Sequence, residues 1–479
     1  MNKFVKSIVC AVACAFAAFS ATVFSACFQG PAGPAGPMGQ DLDFYDVYNA
    51  VNAERAENGE QPLTVSEFVK EYFGYISSEA EEAQKKQAVM NYSLLSSVAI
   101  LSDYTTGSSI LGSNHETYAG SGVIVDIDKD KGDAYIVTNA HVVYEPTSKE
   151  KYCNSVYVYL YGNDEAYEDY NLTSGGVLNY NGIDASDVKI IGVSITYDLA
   201  VLKVSGSDVI KNSRAVAATF CQEDEYFAGE TVYAVGNPEG AGLTVTEGII
   251  SRESEIISLE IDKAREYRVM RTDAAVNGGN SGGGLFNVDG EMVGIINSKN
   301  EEEGIDNIAF ALPSSYARRI VQSMIDSYEK SGQLARSVSK ALIGITSQVS
   351  NTYAYYDGEL GVTRISEVVT VADAQYGGAA SDVLREGDVI KKFSIGKCSS
   401  LRSNTLQSSP AADFTVPEGD PQSIDGRYRS FDVTRQYMIT DAMFSVRTGD
   451  VVELVIERGG TTMYAYFVYS SSAFFTSYN

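Results

Sequence analysis

The sequence predicts a mainly β protein with a short helical segment near its N-terminus. From about residue 89 to residue 313, short runs of β-branched and aromatic residues alternate with Gly, Asn and Asp, and no helical pattern separates them. This pattern is typical of an antiparallel barrel or sandwich and disfavours a doubly wound α/β sheet. The abundance of Tyr (32) and Gly (43) favours the same class. The 479 residues are enough for two or three domains with full cores.

Charge and histidine content restrict the function. The 63 acidic residues against 36 basic ones give a net charge of -27, which repels phosphate backbones, so no nucleic acid partner is expected. Only two histidines are present, His115 and His141, which excludes a multi-His metal site. No metal and no other cofactor is expected. His115 lies in a polar segment that predicts a surface loop. A disulfide between Cys153 and Cys221 is possible but not implied by the sequence.

The N-terminal residues predict export and anchoring. Lys3 and Lys6 precede an apolar run, which ends just before Cys27, so residues 1–26 are predicted to be a secretory signal peptide. The small residues before Cys27 resemble a bacterial lipobox, which implies that a lipid is attached to the Cys27 thiol. The alternative is an uncleaved membrane helix. Both place the rest of the chain outside the cytoplasm, at the outer face of the bacterial cytoplasmic membrane.

Two further segments precede the β-rich region. Residues 27–40 include GPAGPAGPMGQ, which is too short for a collagen triple helix and predicts an extended Gly/Pro spacer. Residues 41–88 have an acidic, helical pattern, in which Thr64 and Glu67 have the spacing of a capping box. Whether this segment is a helical adaptor or a solvated stalk stays open.

A nucleophile motif lies within the β-rich region. Gly279-Asn280-Ser281-Gly282-Gly283 fits the G-x-S-x-G elbow of α/β-hydrolases, but that fold needs a histidine after the serine and none follows Ser281. The order present is His141, Asp198, Ser281, as in chymotrypsin-type proteases. A subtilisin-type order needs helices between the strands, and the sequence does not predict them.

Each of these three residue types has a separate task. A serine hydroxyl becomes a useful nucleophile when an imidazole takes its proton, and a buried carboxylate fixes the tautomer of that imidazole. The glycines around Ser281 allow the backbone to turn its N–H groups inward. We therefore predict that the N–H groups of Gly279 and Ser281 form an oxyanion hole.

Five sequence blocks resemble, in the same order, the signature blocks of HtrA/Deg-type serine proteases: TNAHVV, DLAVLKV, GNPEGAGLTVTEGIIS, TDAAVNGGNSGGGLFNVDGEMVGI and IAFALPS. The resemblance covers residues 99–314. It implies a chymotrypsin-like double β-barrel at residues 89–313, with His141, Asp198 and Ser281 as the catalytic triad. It also implies a homotrimer. Gly278 and Gly284 stand where the family usually has proline, which makes the oxyanion loop softer.

The predicted substrate pocket is lined by Ala275, Ile296 and Asn297. In chymotrypsin-like folds, the residue six positions before the nucleophile lies at the base of this pocket, and here it is Ala275. Because alanine offers no carboxylate for Arg or Lys, we expect cleavage after small or medium apolar residues. Asp273 is nearby, but it is expected to have a structural role.

The C-terminal part predicts a peptide-binding domain. Residues 314–340 read as a linker helix that ends near Gly332. Residues 341–470 then resemble a bacterial PDZ domain, with an insertion at 401–432, and residues 471–479 form a tail. By this resemblance, a C-terminal peptide carboxylate is caught by the backbone N–H groups of four residues: Leu342, Ile343, Gly344 and Ile345. The alternative is that these residues only begin a buried strand.

Together these observations predict an extracytoplasmic serine endopeptidase of the HtrA type. It would act in protein quality control or regulated proteolysis, take unfolded or exposed polypeptides as substrates, and be regulated by C-terminal peptides at its PDZ domain. Two alternatives stay open. One is a catalytically silent, chaperone-like scaffold of the same fold, and the other is a dedicated signalling protease with one membrane substrate.

Overall fold

The computed structural model describes residues 44–64, 67–68, 79–109, 112–146, 151–163, 182–222, 226–258, 266–299, 308–358, 361–374, 378–418, 424, 426–470 and 475–478. The predicted signal peptide, Cys27 and the Gly/Pro spacer lie outside these residues. Across the described ranges, no helix combines the length and the apolar character needed to cross a membrane.

The chain divides into two units after Gln61. The first unit contains helix α1 (Phe44–Glu57). The second begins at Pro62, and its first feature is the capping box that the sequence predicts. The N–H of Thr64 donates to Oε2 of Glu67 (2.8 Å), and the N–H of Glu67 donates to Oγ1 of Thr64 (3.2 Å), so this prediction is confirmed.

Helix α2 (Glu79–Leu95) packs against the β-rich region. Val89 and Tyr92 are buried, and the hydroxyl of Tyr92 donates to the carbonyl of Ala217 (2.6 Å). The predicted boundary between residues 88 and 89 falls inside this helix. Its C-terminal turns are therefore part of the β domain's packing.

The first sheet has six antiparallel strands in the order β4-β1-β2-β3-β6-β5. Alternating apolar residues of its strands form a buried cluster that includes Ile100, Ile136 and Leu202. The strands and the two short helices among them are β1 (Ser97–Ser109), β2 (Gly112–Asp128), β3 (Asp133–Thr138), α3 (Ala140–Val143), β4 (Ser155–Leu160), β5 (Val188–Ser194), β6 (Leu199–Val204) and α4 (Asp208–Lys211).

The second sheet closes into a barrel. Six strands pair in a ring, β11-β8-β9-β10-β13-β12 and back to β11, and β7 adds to β12 as a short parallel strand. The predicted Asp289-Gly290 hairpin joins β11 to β12 and is confirmed, with Gly290 at φ 78°. The strands are β7 (Thr219–Phe220), β8 (Thr231–Gly236), β9 (Thr244–Ser258), β10 (Glu266–Thr272), β11 (Gly284–Asn287), β12 (Glu291–Lys299) and β13 (Ala309–Pro313).

Helix α5 (Ser314–Ser331) follows the barrel, as the sequence predicts, and ends at Gly332 in the left-handed region (φ 66°). The C-terminal part then forms its own core around a sheet in the order β15-β16-β17-β20-β21-β18. Its elements are β14 (Val338–Ala341), β15 (Ile345–Asp357), β16 (Val362–Ala374), β17 (Val389–Gly396), β18 (Thr405–Gln407), β19 (Arg429–Asp432), α6 (Gln436–Ala442), β20 (Val451–Arg458), β21 (Thr461–Val468) and β22 (Phe475–Tyr478).

The structure places His115 differently from the sequence expectation, and it answers the question of the Cys153–Cys221 disulfide. His115 belongs to strand β2, where its backbone pairs with Thr105, and not to the loop that the polar sequence predicts. A polar strand carries no apolar alternation, so its sequence does not distinguish it from a loop. Cys153 is a free thiol, so the bridge to Cys221 is not formed.

Candidate active site

His141 and Asp198 are paired directly. His141 lies in the short helix α3, immediately after β3, and Asp198 lies in the turn between β5 and β6. Nδ1 of His141 is 2.7 Å from Oδ2 of Asp198, and the backbone N–H of His141 donates to Oδ1 (2.9 Å). Both carboxylate oxygens therefore bind the same residue, which fixes the position and the orientation of the imidazole.

Asp198 is buried in an unusual backbone conformation. Its φ is 47°, in the left-handed region, where aspartate is tolerated better than most residues. The side-chain amide of Asn139 donates to the Asp198 carbonyl (2.8 Å) and so supports this turn. Asn139 directly follows β3 and lies two residues before His141, so the short segment 139–141 contacts Asp198 through both its ends.

The charge state of Asp198 follows from its neighbours. Burial raises its pKa, but the interaction with His141 and the hydrogen bonds from His141 and Asn297 outweigh burial, so the pKa lies below the ordinary value for aspartate. The amide Nδ2 of Asn297 is 2.6 Å from Oδ2 of Asp198. The acid is therefore a carboxylate at neutral pH.

Asn297 connects the acid to the nucleophile. Its side-chain amide donates to Asp198, and its backbone carbonyl accepts the hydroxyl of Ser281 at 2.9 Å. The hydroxyl of Tyr267 in turn donates to Oδ1 of Asn297 (2.6 Å). The sequence predicts Asn297 in the substrate pocket; its side-chain amide is directed to Asp198, and its pocket role stays a prediction. A break in the strand register between Ile296 and Ser298 accompanies this orientation.

The loop around Ser281 orients two N–H groups through the carbonyls of the same peptide units. The carbonyl of Gly278 accepts the N–H of Glu239 (2.7 Å), and the carbonyl of Asn280 accepts the N–H of Gly283 (2.9 Å). In a trans peptide the N–H points opposite to the carbonyl, so these bonds fix the directions of the N–H groups of Gly279 and Ser281. Within the described residues, neither N–H has a hydrogen-bond acceptor.

Position 279 requires glycine. Its φ is 93°, and a Cβ there would lie 2.2 Å from the carbonyl oxygen of Asn237. The predicted oxyanion loop, residues 278–283, therefore packs directly against the turn that follows β8.

The other predicted pocket residues belong to different elements: Ala275 follows strand β10, and Ile296 lies in strand β12. Ala275 is exposed, and its carbonyl accepts the hydroxyl of Thr246 (2.9 Å), whereas Ile296 is buried in an apolar cluster with Met270. The carboxylate of Asp273 accepts the N–H of Ile249 (2.7 Å), which is a structural contact. The pocket role of Ala275 and Ile296 stays a prediction.

Of the predicted carboxylate-binding residues, Leu342, Ile343 and Gly344 connect β14 to β15, and Ile345 is the first residue of β15. Leu342 is exposed, Ile343 is buried, and Gly344 has a φ of 81°. The hydroxyl of Tyr469 donates to the carbonyl of Leu342 (3.1 Å), and the side chain of Gln436 on α6 donates to the carbonyl of Ser347 on β15 (2.8 Å). The latter bond joins strand β15 to helix α6.

Comparison with known proteins identifies the family. A profile described as a trypsin-like peptidase domain matches residues 120–295, which include His141, Asp198 and Ser281. The serine protease Do-like HtrA of Lactococcus lactis subsp. cremoris (strain MG1363) is 32% identical over 337 residues, which are 67% of this chain and 72% of that protein. This chain belongs to the HtrA family of serine proteases.

Other HtrA relatives match a smaller part of their own length. The serine protease Do-like HtrA of Bacillus subtilis (strain 168) is 32% identical over 291 residues, 59% of this chain and 56% of that protein. A relative from Brucella suis biovar 1 (strain 1330), named a probable periplasmic serine endoprotease DegP-like, is 31% identical over 272 residues, 57% of this chain and 43% of that protein. The chain thus spans about half the length of these two relatives.

Solved structures of HtrA-type proteases also match. The HtrA-type protease AlgW with decapeptide has 21% identity and a TM-score of 0.42, with 79% of this chain and 96% of that chain covered. The serine endoprotease from Yersinia pestis has 20% identity and a TM-score of 0.38, with 84% and 100% covered.

The sequence did not indicate several residues that the structure brings to the site: Ser121, Asn139, Asn237 and Tyr267. Each acts through a hydrogen bond to the backbone or to another polar side chain. Such contacts depend on tertiary packing, and a single polar residue next to an apolar run gives no signal for them. Asn139 and Asn237 could have been found, because they lie within the TNAHVV and GNPEGAGLTVTEGIIS blocks.

Proposed function

We propose that this chain is a serine endopeptidase in which His141 is the general base, Asp198 its orienting acid and Ser281 the nucleophile. The observation that carries the proposal is the pairing of Nδ1 of His141 with Asp198 at 2.7 Å. Because Nδ1 is held by the carboxylate, it carries the proton, and Nε2 is the ring nitrogen that accepts the Ser281 proton.

The reaction then follows in two stages. The Ser281 hydroxyl first turns from the Asn297 carbonyl towards Nε2 of His141. The Ser281 oxygen then attacks the peptide carbonyl while its proton passes to Nε2, and the resulting oxyanion binds the N–H groups of Gly279 and Ser281. His141 returns the proton to the leaving amine, which leaves an ester on Ser281. Water hydrolyses this ester, with His141 again as the base. The buried carboxylate of Asp198 stabilises the imidazolium in both stages.

The proposed substrates are unfolded or exposed polypeptides, cleaved after small or medium apolar residues. Ala275 and the buried Ile296 support this preference, because neither side chain carries a charge for Arg or Lys. The nearby carboxylate of Asp273 accepts the N–H of Ile249, and this backbone contact supports a structural role for Asp273 and not one in binding a basic substrate side chain. Cleavage of a peptide library should give Val, Ala or Leu before the scissile bond, and efficient cleavage after Arg would contradict the assignment.

The C-terminal domain is proposed to be a PDZ domain that binds C-terminal peptides and regulates the protease. Its contact with the protease domain supports a regulatory role: the guanidinium of Arg268 on β10 binds Asp441 of α6, and the hydroxyl of Ser315 donates to the same carboxylate (2.7 Å). A peptide with an apolar C-terminus should change the rate of proteolysis. An unchanged rate at saturating peptide would contradict the proposal.

The location of the chain is proposed to be extracytoplasmic, with a lipid on Cys27 as its membrane anchor and a homotrimer as its assembly. The Brucella suis relative is named a probable periplasmic serine endoprotease DegP-like, which supports the location. Replacing Cys27 by Ser should release the protein from the membrane fraction. Retention of this variant in the membrane would favour an uncleaved helix.

Casein digestion tests the proposed activity. The full chain, purified in mild detergent, is expected to digest casein, whereas Ser281→Ala is expected to be inactive with an unchanged melting temperature. If the folded wild-type chain binds casein but does not cleave it, the protein is a scaffold and not a protease.

A further inference from the structure

Ser121, in strand β2, contacts the oxyanion loop at two points. Its N–H donates to the carbonyl of Ser281 (2.8 Å), and its hydroxyl donates to the carbonyl of Gly279 (2.7 Å). The side chain is fully buried. A single residue of a paired strand therefore holds two peptide units of the loop, Gly279–Asn280 and Ser281–Gly282.

The hydroxyl of Ser121 also binds the neighbouring turn. It accepts the N–H of Asn237 at 2.8 Å. This turn continues to Glu239, which has a φ of 55° and whose N–H holds the carbonyl of Gly278. The same hydroxyl thus links the oxyanion loop to the turn that orients the Gly279 N–H.

The loop is otherwise held mainly by backbone hydrogen bonds, such as those of Gly282 and Gly283 with Ile296. Of the six residues 278–283, four are glycines, so the loop has few side chains that pack or bond. Ser121 is fixed in contrast by the pairing of β2 with β1 and β3, and its carbonyl accepts the hydroxyl of Thr138 (2.7 Å). The sheet therefore adds, through Ser121, a buried side-chain hydrogen bond to a loop that is otherwise held largely by its backbone.

We propose that Ser121 is a positioning residue for the oxyanion hole, and that its hydroxyl keeps the N–H of Gly279 directed towards the reacting carbonyl. This inference rests on the proposed protease activity. Ser121 does not contact the substrate, so its removal weakens transition-state binding and leaves ground-state binding of the peptide largely unchanged.

Ser121→Ala removes the hydroxyl and retains the backbone bond to Ser281. Because removal of a whole oxyanion donor typically lowers kcat about 10²- to 10³-fold, misalignment of one donor is expected to lower kcat about 10- to 100-fold, with KM within about 3-fold. A peptide aldehyde, whose adduct places an oxyanion in the same hole, should lose affinity by the same factor as kcat/KM.

Ser97→Ala is the matched control. Ser97 is also fully buried in the first sheet, and its hydroxyl donates to the carbonyl of Ser93 (2.7 Å), outside the site. It should lower the melting temperature to a similar extent and leave kcat unchanged. Ser121→Cys, which keeps an atom at the Oγ position but donates only weakly, should have a kcat between those of Ser121→Ala and the wild type.

The experiment measures kcat, KM, aldehyde affinity and melting temperature for the full chain and its variants in mild detergent. A Ser121→Ala kcat within 3-fold of that of Ser97→Ala would overturn the inference while leaving the proposed function intact. If Ser121→Ala does not fold, a Ser121→Cys kcat equal to that of Ser97→Ala overturns it in the same way. A wild-type chain with no turnover at all would overturn the proposed function itself.

Discussion

The two halves of the candidate site are held by different parts of the molecule. On the acid side, His141 and Asp198 are fixed by side chains, including the amides of Asn139 and Asn297. On the oxyanion side, backbone groups hold the loop of residues 278–283, and the hydroxyl of Ser121 is a side chain that joins them. The arrangement on the acid side therefore depends on the side chains of particular residues. The arrangement on the oxyanion side depends mainly on the backbone conformation of the loop.

This difference implies different sensitivities. Substitutions on the acid side should change proton transfer, and substitutions on the oxyanion side should change transition-state stabilisation without changing the protonation of His141. The following variants test this division, beginning with the largest expected effect.

Asp198→Asn should have the largest effect. The amide cannot stabilise the imidazolium and favours the wrong imidazole tautomer, so kcat is expected to fall about 10⁴-fold. Asparagine tolerates the positive φ of this position, so the fold should be retained. The control is Asp184→Asn, at a remote cap where Oδ1 accepts the N–H of Ser186, and its kcat should equal that of the wild type. Equal rates for the two variants would remove Asp198 from the mechanism.

Gly279→Ala tests the oxyanion side. The new Cβ would meet the Asn237 carbonyl at 2.2 Å, so the loop must shift, and kcat is expected to fall about 10²-fold. Gly290→Ala is matched in backbone conformation (φ 78°), but its nearest neighbour, Tyr92, lies 3.5 Å away. That control should lose about 1 kcal/mol of unfolding free energy and retain its kcat. A retained kcat in Gly279→Ala would show that the loop has no part in catalysis.

Asn297→Ala tests the link between the two halves. Its backbone carbonyl still accepts the Ser281 hydroxyl, but the amide bond to Asp198 is lost, so kcat should fall about 10-fold. The pKa of Asp198 should rise, because the Asn297 bond is one of the causes that lower it. An unchanged kcat would place Asn297 outside the catalytic network.

The same pKa shift predicts a dependence of stability on pH. A lowered pKa in the folded state contributes stability above the unfolded value of about 3.9, and this stability is lost as the pH falls through the folded pKa. Acid denaturation of Asn297→Ala should therefore begin at a higher pH than in the wild type. Superimposable acid unfolding curves would contradict the proposed role of the amide.

The sequence predicted those features whose pattern lies in single residues or in short segments. The order His141, Asp198, Ser281 predicted the candidate triad, the apolar spacing predicted helix α5 to Gly332, and Thr64 with Glu67 predicted the capping box. The structure pairs His141 with Asp198 and joins Ser281 to Asp198 through Asn297. Each signal is local or depends on a distinctive residue type. The pairing of His141 with Asp198, 57 positions apart, followed from the matched sequence blocks.

The remaining features depend on tertiary structure. Asn297 turns towards Asp198 at a break in the strand register, which the sequence does not reveal. Ser121 stands in an ordinary strand sequence, and its contacts with residues 279 and 281 arise because the two sheets meet there. Backbone hydrogen bonds carry no residue preference, so the support of the oxyanion side could not be predicted.

Site-mapped labelling with a fluorophosphonate tests the central claim most directly, namely that His141, oriented by Asp198, activates Ser281. The folded full chain should acquire one phosphonate at Ser281, Ser281→Ala should acquire none, and Asp198→Asn should be labelled far more slowly. A folded wild-type chain that stays unlabelled, or one labelled equally fast with and without the Asp198 carboxylate, would contradict the account.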